Sequence, residues 1–419
     1  MRVRRFDWTQ ADPVATEIRA WAAETAPEVD VEPIARAVIE GGDAALLRLT
    51  ERFDGVSPEQ LRVDPDEVAA ALESLDPEVR EALEVAAANV RAVAEAQVDD
   101  TPHKVELPQG QAVVLQDIAV RSAGVYAPGG RAAYPSSVLM CCIPARAAGV
   151  ERLAVASPPG EDGRVHTATL AACALCEVDE VYAMGGAQAV MALACGTETI
   201  GPVDVVVGPG NAWVQEAKRW AFGRVGIDGL AGPSELMLIA GHDTEMEWAA
   251  LDLCAQAEHG AESPLIASAV EEAVLNGLEK EVERVAAQRP SVADAALAIV
   301  QVPDLADAVA LANSYAPEHL QLMSEDAYAL AAQVRNAGCV FVGRASGTAF
   351  GDYAAGSNHV LPTGGSGRFT GPLGPMAFRR RIANVSLPGP AAAALAPYVD
   401  ALARAEGLPV HGESARARG

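Results

Sequence analysis

Four places in this chain of 419 residues pair an imidazole with a carboxyl or amide group. Glu318 and His319 are adjacent in NSYAPEHLQL just after Pro317 and offer two proton-transfer groups at a turn. His259, in LCAQAEHG, follows Gln256 by three positions near the end of a helical run, which puts both side chains on one helical face where they can converge on a metal ion. His359 follows Asp352 in GDYAAGSNHVLPTGG, and His411 follows Glu406 in EGLPVHGES. Each pair also has a structural reading, as a helix cap, an exposed helical face or a turn former. Together, two histidines, an aspartate and a helical amide on separated loops and helix ends suit zinc or a similar divalent ion. The remaining histidines, His103, His166 and His242, lie in polar, turn-like surroundings and read as surface.

The elements that must position these groups change character along the chain. The first hundred residues repeat apolar positions every three to four, as in VEPIARAVIEGGDAALLRLTERF, and predict helices. Between Val120 and Ala240, short apolar runs end in Gly-rich turns and lead into helices: AGVYAPGG, DEVYAMGGAQAV and VDVVVGPGNAWVQEAKRW. Continuous apolar strands, each followed by a helix, predict a parallel sheet covered on both faces, with ligands beyond the carboxyl ends of its strands. SELMLIA (234–240) and GCVFVGR (338–344) predict further strands, with helices around 244–259, 268–288, 303–314 and 325–336 and short helices at the C-terminus. Residues 345–375, rich in Gly, Ser, Thr and Pro, read as a long functional loop.

GPGNAW opens like a dinucleotide fingerprint, but Trp213 stands where the third glycine belongs, so the standard Rossmann motif is incomplete. Backbone N–H groups of GGAQ and GPGN at helix starts can still cradle phosphates, with Gln188 and Asn211 adding side-chain hydrogen bonds.

Composition narrows the class. A net charge of −26 without clustered Lys or Arg argues against nucleic acid as a partner. The longest apolar stretch, Val138 to Ala145, stops at Arg146, far short of the ~20 residues of a membrane span. MRVRRFDWTQADP has no apolar core for a secretory signal, which predicts a cytoplasmic protein. Seven scattered cysteines make no disulfide framework, and the Cys173/Cys176 pair reads as buried helix-face thiols.

The motifs GVYAPGG…YPSSVLM, GGAQAV, VVVGPGNAWVQEAK, GIDGLAGPSE, AQAEHG, YAPEHL, GDYAAGSNHVLPT and EGLPVH occur in this order. The set resembles the histidinol dehydrogenase family, which catalyses the last step of histidine biosynthesis, and spans about residues 30 to 411. The resemblance implies oxidation of L-histidinol through histidinal to L-histidine, with two NAD and one Zn²⁺ per site. It implies Gln256, His259, Asp352 and His411 as zinc ligands. Ser234, His319 and Glu406 would join them in holding substrate, Tyr126, Gln188 and Asn211 would contact NAD, and Glu318 and His319 would carry the proton chemistry. It also implies a homodimer in which the C-terminal tail, with Glu406 and His411, completes the neighbour's site.

The expected fold is α/β: two Rossmann-like βα domains with an incomplete dinucleotide fingerprint, aldehyde-dehydrogenase-like, plus small helical extensions at both ends. The first domain is expected over 23–125 and 236–373, the second, on the NAD side, over 126–235, with extensions at 1–22 and 374–419. Gly371 and Gly374 depart from the family pattern at non-motif positions. A sister dehydrogenase acting on another alcohol and a non-redox zinc hydrolase or binding protein are the competing readings. Glu406 and His411, suited to an amine and an imidazole, favour histidinol over the first. The turns carrying Gln188 and Asn211 would have no purpose in the second.

Overall fold

The computed structural model describes residues 1–22, 29–129, 132–292 and 294–418, so Gly130 of the first Gly-rich turn lies outside the described residues. Its strands, in chain order, are β1 (Arg2–Phe6), β2 (His103–Glu106), β3 (Ala112–Ala119), β4 (Ser122–Tyr126), β5 (Arg152–Ser157), β6 (Glu180–Ala183) and β7 (Val205–Val207). They continue with β8 (Gly226–Ile227), β9 (Leu236–Ala240), β10 (Pro264–Ala269), β11 (Ala296–Gln301), β12 (His319–Met323), β13 (Cys339–Val342) and β14 (Arg379–Ser386).

Two parallel sheets form the body. One has the order β6-β5-β4-β7-β8 and the other β1-β11-β10-β9-β12-β13. Both are covered on two faces, which is why their strands are apolar without alternation. In the first sheet Val125, Leu153 and Val155 face one core, while Tyr126, Ala154 and Ala156 face the other. In the second, Met237 and Ile239 face one side and Leu236, Leu238 and Ala240 the opposite one. The fold is α/β, as the sequence predicts.

Several elements escaped the sequence pattern. β10 and β11 are short apolar runs lying within or beside helical periodicity, and the helix expected over 268–288 begins only at Glu272. β14 occupies a stretch expected to be helical and pairs antiparallel with β3, which also pairs with β2. β1 joins the six-stranded sheet beside β11, so the first residues extend that sheet. The helix expected over 325–336 shortens to Ala327–Ala331, and the long loop contains an α-helix, Thr348–Tyr353, and a short 3-10 turn, Ser366–Arg368. The CxxC thiols are buried, as expected. No helix among the described residues is long and apolar enough to cross a membrane.

The connection after β8 sets the site. Residues 228–235 carry the chain from the carboxyl end of the five-stranded sheet to the start of β9. The carboxyl edge of one sheet therefore faces the amino edge of the other, and a cleft of about 1450 Å³ lies between them.

Candidate active site

Tyr126 at the end of β4, Asn211 after β7, Ser234 before β9, His259, Glu318, His319, Asp352 and His359 all line this cleft. The helix Met246–Ala257 follows β9 and runs back to the amino edge of the sheet, which delivers Gln256 and His259 to the same end as Glu318.

The Glu318-His319 pair is fixed by its surroundings. Ala316, just before Pro317, adopts a left-handed backbone (φ 50°) that ends the preceding helix, a conformation costing a non-glycine residue about 1 kcal/mol. The chain then enters β12 with Glu318 and His319 buried at 6% and 2% exposure. The pair therefore sits at the mouth of a central strand rather than on a solvated helix cap. Glu318 Oε2 accepts a hydrogen bond from the backbone N–H of Glu235 (2.7 Å) and a short one from Ser234 Oγ.

His319 Nδ1 lies 3.0 Å from the Glu235 carbonyl oxygen. A carbonyl can only accept, so Nδ1 carries a proton, and it is the neutral ring that bears its lone pair on Nε2. Nε2 is buried, has no hydrogen-bond partner, and lies 3.4 Å from Asp352 Oδ1, a proximity without hydrogen-bond alignment. Burial pulls the imidazole's pKa down, but the carboxylates of Glu318 and Asp352 outweigh it and hold the pKa well above the ordinary histidine value. Burial likewise pushes Asp352 up, and His319, with His359 and His259, overrides this and holds it below the usual carboxylate range. His359 donates from Nδ1 to the Asp352 carbonyl (2.7 Å), its Nε2 lies 3.3 Å from Ser137 Oγ, and burial lowers its pKa.

Gln256 is 1% exposed and donates from Nε2 to Ser234 Oγ (2.6 Å), while its Oε1 is buried without a partner. An unpaired buried amide oxygen is costly unless something binds it. With His259 and Asp352 in the same cleft, the donor set is one amide oxygen, one imidazole and one carboxylate, which fits a borderline divalent metal with a position left to fill. Among the described residues no cluster of three or more His, Cys, Asp or Glu can hold a metal. One chain thus supplies part of a ligand set.

Glu406 and His411 do not line the cleft. They lie on an arm formed by the helices Gly389–Ala405 and Pro409–Arg416, which pack chiefly on each other. The arm leaves Tyr398 and Leu402, both 65% exposed, and Val410 uncovered.

On the other side, the Tyr126 hydroxyl accepts from Gly186 N (3.3 Å) at the start of the GGAQ helix, and burial pushes its pKa up to about 12. Gln188 is buried outside the cleft lining, and its Nε2 has no partner. Asn211 caps the helix Ala212–Ala221, its Oδ1 accepting from Trp213 and Val214 N–H groups. Only its amide nitrogen is left for a ligand.

Sequence reasoning missed three supports. Glu235, 4% exposed, accepts from Glu318 N (3.3 Å), Gly364 N (3.2 Å), Arg19 (3.2 Å) and the Tyr315 hydroxyl (3.4 Å). Burial pushes it up to about 7, with the Arg19 guanidinium opposing and Glu318 adding to the rise. Lys218, 1% exposed, donates to Asp228 (2.6 Å) and the Gly208 carbonyl (3.0 Å), while Gly208 N donates to Asp228 (2.8 Å), so this ion pair clamps the GPGN turn. Gly208 is required there, because a Cβ would lie 2.1 Å from the Tyr126 carbonyl oxygen. Lys218 had a readable signal: it shares an i, i+3, i+4, i+7 face with Val214, Ala217 and Ala221, where a charge demands a partner.

The histidinol dehydrogenase family model matches residues 19–419. A histidinol dehydrogenase of Ruegeria pomeroyi is 46% identical over 94% of this chain and 93% of its own. The solved histidinol dehydrogenase of Elizabethkingia anophelis superposes with a TM-score of 0.90 at 32% identity, covering 100% of this chain and 98% of that one. An acetylating aldehyde dehydrogenase from Geobacillus thermoglucosidasius, 13% identical with a TM-score of 0.51 over 90% of this chain and 95% of its own, shares the fold alone.

Proposed function

The chain belongs to the histidinol dehydrogenase family, and from that premise we propose that it oxidises L-histidinol to L-histidine by way of histidinal, with two NAD and one zinc ion per site. The observation that carries this is the buried pair Glu318-His319 facing a cleft lined by His259 and Asp352, with Gln256 and its orphaned oxygen tied to it through Ser234.

Gln256, His259 and Asp352, with His411 of the partner subunit, would hold zinc. Zinc, when bound, would supply a template that orients the substrate, and NAD would supply the hydride acceptor. The chain's own groups move the protons. His319 Nε2, freed by the Glu235 carbonyl on Nδ1, takes the hydroxyl proton as hydride leaves the carbon. Glu318 then takes a proton from the water that attacks the aldehyde, and the hydrate gives up the second hydride. Ser234, linked to both Glu318 and Gln256, aligns the base with the ligand set.

Tyr126, Gln188 and Asn211 serve the NAD side, where the incomplete fingerprint is replaced by helix-start N–H groups and the clamped GPGN turn. The working unit is a homodimer. Its arm, with uncovered Tyr398, Leu402 and Val410, brings Glu406 and His411 to the neighbouring cleft. The domain division is 23–125 with 236–373, then 126–235, with extensions at 1–22 and 374–419, and the protein works in the cytoplasm.

Incubating the purified protein with L-histidinol and NAD tests the reading: L-histidine should appear by mass spectrometry. Turnover of other alcohols alone would replace histidinol as the substrate, and no NADH at all would point to non-redox chemistry.

A further inference from the structure

Asp54 ends the helix Glu32–Asp54 and lines the cleft beside Phe53 and Tyr126. One of its carboxylate oxygens, Oδ2, is shielded from solvent and has no hydrogen-bond partner. A carboxylate oxygen withdrawn from water without a donor is costly and persists where a ligand donor arrives. Asp54 is close enough to Tyr126 for its charge to bear on the phenol, which places it at the carboxyl edge of the five-stranded sheet. Burial also pushes its own pKa up. Phe53, 48% exposed, offers an aromatic surface at the same wall.

The cations of the cleft point the same way. Lys218 and Arg219 are the Lys and Arg residues among the described lining, and each is already paired, with Asp228 and Glu216 respectively. Lys218 is buried in its pair, whereas Arg219 is exposed and bonds Glu216 through Nε alone. Beside Phe53, over whose ring the Arg52 guanidinium lies at 5.1 Å, a dinucleotide that enters here meets an acceptor-only carboxylate, which suits ribose hydroxyls and repels a 2′-phosphate.

We propose that Asp54 accepts hydrogen bonds from the ribose hydroxyls at the adenosine end of the dinucleotide and thereby selects NAD over its 2′-phosphorylated form. This rests on the reading that the cleft takes NAD.

Equilibrium binding of NADH and of NADPH to the dimer, followed by cofactor fluorescence, tests it in wild type, Asp54→Ala and Asp54→Asn, each checked for an unchanged melting curve. Wild type should favour NADH. Asp54→Ala should weaken NADH roughly 10-fold, the scale of a hydrogen bond to a charged group, without weakening NADPH. Asp54→Asn, which keeps an acceptor and loses the charge, should retain most NADH binding and gain NADPH binding. Wild-type NADH preference preserved in both variants overturns the assignment. Failure of wild type to bind NADH in the first place overturns instead the reading on which it rests.

Discussion

The Nδ1 of His319 lies 3.0 Å from the backbone carbonyl oxygen of Glu235, which fixes the tautomer so that the neutral ring presents Nε2 as its base. His319→Ala should therefore lose roughly 10²–10⁴-fold in turnover, the scale of a positioned proton acceptor. Zinc content, measured by metal analysis, should stay at the wild-type level, since the ligands proposed are other residues. Turnover near wild type would remove His319 from the reaction.

Glu318→Gln should slow the aldehyde step more than the alcohol step. Oε2 of Glu318 is engaged by Ser234 and Glu235 N, contacts an amide oxygen retains, so the site stays assembled while its water-activating base is gone. Rates measured with histidinol and with histidinal supplied directly separate the two steps. Equal slowing of both would contradict the split.

Gln256→Ala should lower zinc affinity, read as occupancy after dialysis against a graded chelator, because it deletes a buried amide oxygen beside Ser234 that has no protein partner. Occupancy unchanged from wild type would exclude Gln256 as a ligand.

Glu235 carries a pH signature. Its pKa rises from 4.5 to about 7 on folding, so the folded state binds the extra proton between those values. Stability is therefore full below about 4.5 and falls as pH rises toward 7, by on the order of 3 kcal/mol for this group. Denaturant titrations of wild type and Glu235→Gln should diverge in the variant's favour across that window. Parallel curves would show that Glu235 does not titrate there.

Much of this was legible in the chain. Hydrophobic patterning revealed the βα units because doubly covered parallel strands are uniformly apolar, and Gly-rich turns marked their carboxyl ends. β10 and β11 were lost because PLIASA and ALAIVQ are too short to be told from neighbouring helix. At the site, the motifs singled out Glu318, His319, Gln256, His259 and Asp352, and folding brings Glu318, His319, His259 and Asp352 to one cleft, with Gln256 tied to it through Ser234. Arg19 and Glu235 were invisible because their partnership spans 216 positions and depends on the first helix reaching β9. Glu406 and His411 lie on an arm that one chain does not fold onto its own cleft, so no pattern within one chain places them.

Mixing His319→Ala and His411→Ala subunits should restore activity that neither has alone. A hybrid dimer pairs one intact His319 with the other chain's intact His411 in one site. Absence of complementation, with hybrid formation confirmed by native mass spectrometry, would place His411 in its own chain's site.

If one cleft performs two successive oxidations, the stoichiometry of the reaction must show it. With L-histidinol limiting and NAD in excess, absorbance at the end of the reaction counts NADH per substrate consumed. Two NADH are expected for each histidinol, with histidine as the product. One NADH, with aldehyde left behind, would contradict it.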